Sequence, residues 1–190
     1  MTLDTCRVAA SRHGGLSRPR RRYRALVGRR NFLIEGVSCT GKTSVCKELR
    51  RRGCQAINGD TDLAYQGDPE TGAATSGRTH EHHIWRVEAA EALAANRDEP
   101  LTFFCGGSRN FSRFIHLFAG VFVLDVDEGT LVRRLGERLD DEFGANRAER
   151  EIVMRLHRTK EDLPSGVLID ATQPLGHVVD QILRLARAHD

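Results

Sequence analysis

The stretch "NFLIEGVSCTGKTSV", residues 31–45, limits what this chain can fold into more than any other. An apolar strand runs straight into Gly36-Val-Ser-Cys-Thr-Gly41-Lys42-Thr43 and from there into a helical pattern. The spacing is G-x-x-x-x-G-K-[ST], and it carries a mechanism. Glycines let successive backbone N–H groups turn inward as an anion nest, and the helix that follows adds the positive end of its dipole. Lys42 is then placed to reach the β and γ phosphates of a nucleotide, and the Thr43 hydroxyl to ligate Mg²⁺. Gly36, Val37, Ser38, Cys39, Thr40, Gly41, Lys42, Thr43 and Ser44 are therefore candidate ATP-binding residues. A glycine turn with an accidental lysine is the plain alternative. Lysine occurs only at 42, 47 and 160, and the match falls between a strand and a helix, so chance explains it poorly.

After residue 30, apolar runs alternate with helical patterns, the signature of βαβ units and a parallel sheet. Strands are expected at about 31–35, in "CQAIN", in "LTFFC" at 101–105, in "GVFVLDV" at 120–126 and in "GVLIDA" at 166–171. Helices are expected at about 42–52, 80–96, after Asp127, about 148–162 and 174–188, with a loop over 66–79. At 190 residues and 39% apolar content the chain fits one domain with a real core.

Charge divides the chain unevenly. Residues 1–30 hold nine Arg against one acid, Asp4, which leaves 20 basic and 25 acidic residues in 31–190. Such an arm suits a nucleic-acid or membrane-surface tail, or resembles an organellar transit segment. A disordered leader is the simpler reading of its composition, so a nucleic-acid partner is disfavoured although the arm leaves it open. No apolar run reaches the length of a membrane span, and the chain reads as soluble and cytoplasmic. Five cysteines (6, 39, 46, 54 and 105) without a C-x-x-C pair argue against a disulfide framework and a zinc site.

The motifs in order resemble the P-loop kinases of the nucleoside-monophosphate-kinase and shikimate-kinase group over about residues 31–188. "GVSCTGKT", "NGDTD", "CGG" and "VFVLDVDEGTLVRRLGER" carry the likeness, and small actinobacterial P-loop proteins labelled as ATPases or kinases look closer still. The resemblance implies a three-layer α/β/α sandwich whose five parallel strands run in the order 2-3-1-4-5, with a mobile lid at about 139–151. It also implies transfer of the γ-phosphoryl group of ATP to a small acceptor held near the ends of the second and third strands. In that scheme Arg134 and Arg138 match the R-x-x-x-R of the helix before the lid and face nucleotide, and Gln173 follows the fifth strand near the base.

Asp60 and Asp62 stand at the C-terminal edge of the second strand, where open α/β sheets bind ligands. Asp60 is the candidate to orient or deprotonate an acceptor hydroxyl; a solvated turn is the bland reading of "GDTD". Trp85-Arg86 resembles the Phe-Arg pair of shikimate kinases, although a core Trp beside a surface Arg serves as well. Gly106 and Gly107 close the third strand without the acid of a Walker B motif, and Arg109, Asn110 and Arg113 follow as candidate acceptor contacts. Arg147, Arg150 and Arg155 are candidates to close over phosphate, against a solvated helix end. His80 and His83 in "HEHH" read as exposed helix-start residues rather than metal ligands. The catalytic set is thus Lys42, Asp60 and Arg138, with ATP and Mg²⁺. The acceptor is a hydroxyl, as in a nucleoside, a shikimate-like or an antibiotic alcohol, slightly favoured over a nucleoside monophosphate because few cations lie between 59 and 100. The competing class is an ATP-binding regulatory protein with no small-molecule acceptor.

Overall fold

The computed structural model describes residues 30–139 and 142–189. Continuous apolar runs become a parallel sheet whose central strands are buried on both faces, while its edge strand at 167–170 is largely exposed. Its strands are β1 (Arg30–Glu35), β2 (Gln55–Asn58), β5 (Leu101–Cys105), β6 (Gly120–Asp125) and β7 (Val167–Asp170). They lie in the order β2-β5-β1-β6-β7, the 2-3-1-4-5 order expected of these five strands. β1 sits at the centre, with Ile34 opposite Cys105 on one side and Phe122 on the other.

Strand side chains alternate between two cores. Phe32, Ile34, Phe103, Cys105, Phe122 and Leu124 enter one cluster. Completing it are apolar residues of α1 (Lys42–Arg51), α4 (Glu128–Gly136), α5 (Arg147–Thr159) and α6 (Leu175–Ala188). Leu33, Phe104, Val121 and Val123 face the second cluster, which Trp85, Phe114 and α3 (Val87–Ala95) complete. Helix ends follow their capping chemistry. The Asp127 side chain accepts from the Thr130 N–H at 2.8 Å to start α4, and Asn146 accepts from the Glu149 N–H at 2.9 Å to start α5.

The expected helix over 80–96 is corrected. Helix α3 begins only at Val87, and β4 (His83–Trp85) pairs antiparallel with β3 (Ala64–Gln66), which follows the one-turn helix α2 (Gly59–Asp62). The loop expected over 66–79 thus connects the two arms of a hairpin and shares only Gln66 with β3. The cause is buried backbone polarity. The Trp85 N–H donates to Ser108 Oγ and Asn110 Oδ1, each at 3.1 Å, and Asn110 Nδ2 donates to the Trp85 carbonyl at 3.0 Å. These long-range bonds replace helical ones, and the Ile84/Val87/Leu93 spacing that suggested a helix holds no trace of them. The Trp85 ring is fully buried and stacks on Phe114 at 5.3 Å and 5°.

Of the arm expected over 1–30, residues 1–29 lie outside the described residues and Arg30 begins β1; two residues of the expected lid, Asp140 and Asp141, lie outside them too. Among the described residues no helix is long and apolar enough to cross a membrane. Trp85→Ala is expected to lower stability by about 3–5 kcal/mol in denaturant titration, the cost of a large aromatic removed from a core.

Candidate active site

Between β1 and α1 the chain makes the loop its glycines allow. Gly36 has φ 150°, and a Cβ there would lie 2.6 Å from Thr40 Oγ1 and 2.7 Å from the Leu124 carbonyl. Cys39 also lies at positive φ, 69°. Thr40, buried, closes the turn by donating its hydroxyl to the Val37 carbonyl at 2.9 Å. Helix α1 starts at Gly41 with no side-chain cap and no acid in its first turn. Its leading N–H groups are therefore open to an anion. Lys42 Nζ donates to the carbonyls of Gly36 and Val37, the latter at 3.1 Å, and so lies folded over the loop it serves.

Two cavities open on this loop. One, of about 590 Å³, is bounded by Ser38 to Val45, by Arg134 and Arg138 of the α4 region, and by Gln173 beyond β7. The other, of about 510 Å³, lies between the ends of β1, β2 and β5, the hairpin and the segment after α5. Ser38, Lys42, Thr43, Asp60 and Arg138 border both. Arg138 donates to Ser38 Oγ at 3.1 Å and Cys39 Sγ at 3.0 Å, and pairs with Glu142 at 3.0 Å. Arg134 directs its donors at the backbone: Nη1 to the Cys39 and Thr40 carbonyls at 3.3 and 3.2 Å, and Nη2 to Ala171 at 2.9 Å. It ties the loop to the end of β7. Gln173, beside it, donates to Asp170 at 2.9 Å.

On the second side Asp60 is placed by α2. Its Oδ1 accepts the Gly107 N–H at 3.1 Å and meets His83 Nε2 at 3.3 Å. Burial opposes its ionisation, but the His83 bond, the Lys42 charge and the Gly107 N–H outweigh it and hold the carboxyl below the usual range. Gly107 borders this cavity, whereas Gly106 is covered by Asp60 and Trp85. Arg109 reaches it too, and pairs with Asp162 at 2.6 Å. His80 meets the same Asp162 at 3.1 Å and stacks on Phe143 at 5.5 Å. His80 and His83 are accordingly walls of a cavity, not the exposed residues of a helix start.

Other expected acceptor contacts lie elsewhere. Trp85 borders neither cavity and belongs to the core. Arg86 stands 4.9 Å above the Tyr65 ring, and Arg113 lies against Gly72 of the hairpin. Asp62 binds the Asn58 N–H at 3.1 Å and Arg50 at 3.2 Å, and so fastens its own turn. Arg147, its side chain 93% exposed, pairs with Glu151; Arg150 bonds the Gly144 carbonyl and Arg155 pairs with Glu161. None of these three borders a cavity.

Sequence reasoning passed over Glu35. It is 1% exposed at the end of β1, borders the second cavity, and its Oε1 has no hydrogen-bond partner. Burial is the main cause that raises its pKa to about 8; Lys42 and Arg109 pull it down and Asp60 pushes it up. The available signal was a lone acid directly after the apolar run Phe32, Leu33 and Ile34.

A strand, glycine loop and helix at the centre of a 2-3-1-4-5 parallel sheet, with a cavity on either side of Lys42, define a P-loop nucleotide-binding domain. The chain belongs to the AAA domain family, whose model matches residues 33–162. No curated protein matches it significantly. Among solved structures it is similar to the shikimate kinase from Acinetobacter baumannii in complex with shikimate, at 16% identity and TM-score 0.59 over 85% of this chain and 94% of that one. A gluconokinase from Sinorhizobium meliloti 1021 aligns at 20% identity and TM-score 0.51 over 85% and 94%. A sugar kinase from Janibacter sp. HTCC2649 aligns at 17% and 0.51 over 83% and 94%. At these identities the likeness is one of fold, and the fold is shared with small-molecule kinases.

The raised pKa of Glu35 makes a stability prediction. Between about pH 4.5 and about pH 8 the unfolded carboxyl ionises while the folded one stays protonated, so its contribution to stability is lost as pH rises through that window. Glu35→Gln should therefore melt progressively higher than wild type as pH increases across it, as read by circular dichroism.

Proposed function

We propose that the chain is an ATP-dependent kinase that transfers the γ-phosphoryl group to a hydroxyl of a small, neutral acceptor. The observation that carries this reading is the pair of cavities meeting at Lys42, Thr43, Asp60 and Arg138. A donor nucleotide and an acceptor can occupy them with the transferring group at the junction. Phosphoryl transfer asks of a protein mainly positioning and neutralisation of charge, and the junction offers both.

In this reading the triphosphate lies in the loop from Gly36 to Ser44, on the open amides of α1. Lys42 leaves the Gly36 and Val37 carbonyls for the β and γ phosphates. Arg138, already at the junction, faces the γ-phosphate, while Arg134 keeps the loop closed and contributes to the wall beside the base with Gln173. Thr43 borders both cavities, so its hydroxyl fits as a Mg²⁺ ligand. The ion, when bound, would neutralise the β/γ oxygens. Asp60 and Gly107 form the floor on which the acceptor hydroxyl is aligned.

The hydroxyl assignment follows from the cations. Arg86 and Arg113 face away, and Arg109 is already paired with Asp162. Asp162 and Glu142 are likewise paired, with Arg109 and Arg138, and Glu35, raised to about 8, is protonated at neutral pH. Apart from Lys42 and Arg138 on the donor side, that leaves the exposed Arg78 at the rim against Asp60, so a monophosphate or carboxylate acceptor would find no unpaired arginine deeper in the cavity.

ADP release from ATP·Mg²⁺ in the presence of nucleosides, polyols, shikimate and nucleoside monophosphates tests this. A neutral hydroxyl compound should accelerate it, and Lys42→Ala should remove the acceleration by about 100-fold or more, as for loss of a main electrostatic contact. Acceleration by monophosphates alone would overturn the hydroxyl assignment. Acceleration by none would favour an ATP-binding regulatory protein. Removal of residues 1–29 should leave turnover unchanged; its loss would give the Arg-rich arm a part in the site.

A further inference from the structure

Glu35 is the one acid in the strand at the centre of the sheet, and its burial is only partly compensated, by the Gly36 N–H and the charges of Lys42 and Arg109. Oε1 is enclosed and lacks a hydrogen-bond partner, a condition that is costly even for a neutral polar group. A Gln or an apolar residue would serve the core better. What the position does offer is access, because Glu35 borders the acceptor cavity together with Lys42, Asp60, Gly107 and Arg109.

The two glycines that close β5 make room for carboxylates. A Cβ on Gly106 would lie 2.7 Å from Asp60 Oδ1, and a Cβ on Gly107 would lie 2.7 Å from Glu35 Oε1. Consecutive residues without side chains thus leave a shelf with one carboxyl group over each. The two acids are not equivalent. Asp60 Oδ1 already accepts from the Gly107 N–H and meets His83, whereas Glu35 Oε1 is unengaged. Arg109 reaches the same shelf: its Nη2 is 3.7 Å from the point where a Gly107 Cβ would be, and its buried Nε has no partner. A hydroxyl between them can donate to Glu35 and accept from Arg109.

We propose that Glu35 is the catalytic residue that takes the proton of the attacking hydroxyl, and that Asp60 holds a second hydroxyl of the same polyhydroxylated acceptor. The inference rests on the kinase reading above and narrows its acceptor from an alcohol to a neutral polyol, a class that includes sugars and nucleosides. In the transfer the acceptor oxygen bonds to the γ-phosphorus as the bond from phosphorus to the β,γ-bridging oxygen breaks. ADP leaves with that electron pair, and the hydroxyl proton passes to the Glu35 carboxylate. The groups that face Glu35 are Lys42 of α1, Arg109 beyond β5, Asp60 of α2 and the Gly36 N–H, with Asp162 and His83 behind Arg109 and Asp60. A base is most effective when its pKa lies near the working pH. The carboxyl raised to about 8 meets that condition better than the depressed Asp60.

The test is ADP release by the full chain as a function of pH, with a panel of polyols, matched mono-alcohols, or water alone as acceptor. Wild type should show an acid limb in log(kcat/KM) near the Glu35 pKa, and polyols should outpace mono-alcohols. Glu35→Gln should lower kcat by about 100-fold or more, the usual share of a general base, leave the KM for ATP unchanged and abolish the limb. Glu35→Asp should keep the limb at reduced rate, and Asp60→Asn should chiefly raise the polyol KM. Retention of both rate and limb in Glu35→Gln, with ATP binding intact, would overturn the proposal. If no alcohol is accelerated, the kinase reading fails separately, and the pH limb of ATP hydrolysis to water still decides whether Glu35 is the base. Equal rates for polyols and mono-alcohols would overturn the two-hydroxyl part.

Discussion

Everything in this molecule depends on one constraint: Gly36 to Gly41 must form an open glycine loop at the end of a strand whose last four residues are buried. That conformation exposes polar backbone at the edge of a hydrophobic core, and it persists because most of its carbonyls have partners. Thr40 binds the Val37 carbonyl, Lys42 those of Gly36 and Val37, and Arg134 those of Cys39 and Thr40. Arg134 also binds Ala171, so the loop is braced from the far end of the sheet. The parallel sheet supplies the remaining rigidity, since β1 is flanked on both sides and packed on both faces.

The second cavity obeys a different logic. Its walls come from separate parts of the chain: the ends of β1 and β5, the start of α1, the turn α2, the hairpin, the segment after α4, and α5 with the loop after it. Long-range bonds bring them together, His80 and Arg109 on Asp162 and His83 on Asp60. Arg109 is thereby paired internally, and the cavity is left lined by carboxyl groups and hydrogen-bond donors.

Much of the nucleotide side was legible in advance because its chemistry is local. A glycine loop needs its glycines at fixed offsets, and the strands around it need unbroken apolar runs, so both leave periodic marks. The second cavity was legible in part, at Asp60, Gly107 and Arg109, which border it. Trp85 and Arg86 were assigned to it by analogy, but Asn110 and Ser108, more than twenty residues away, pull that backbone into a hairpin and bury the indole. Glu35 escaped notice for the opposite reason. A single acid in an apolar run carries no period, and its significance comes from Gly107, Lys42 and Asp60, which sequence distance conceals.

The amino-acid sequence by itself therefore determined the fold class, the five strands of the parallel sheet and the phosphate loop, because these follow from short-range patterns of burial, glycine placement and helix capping. Which carboxylates share a cavity, which arginines are free and which residues are simply core was decided only by the tertiary structure. Electrostatic environment depends on what stands within a few ångströms in space. For Glu35, Arg109 and Trp85 those neighbours come from distant segments of the chain.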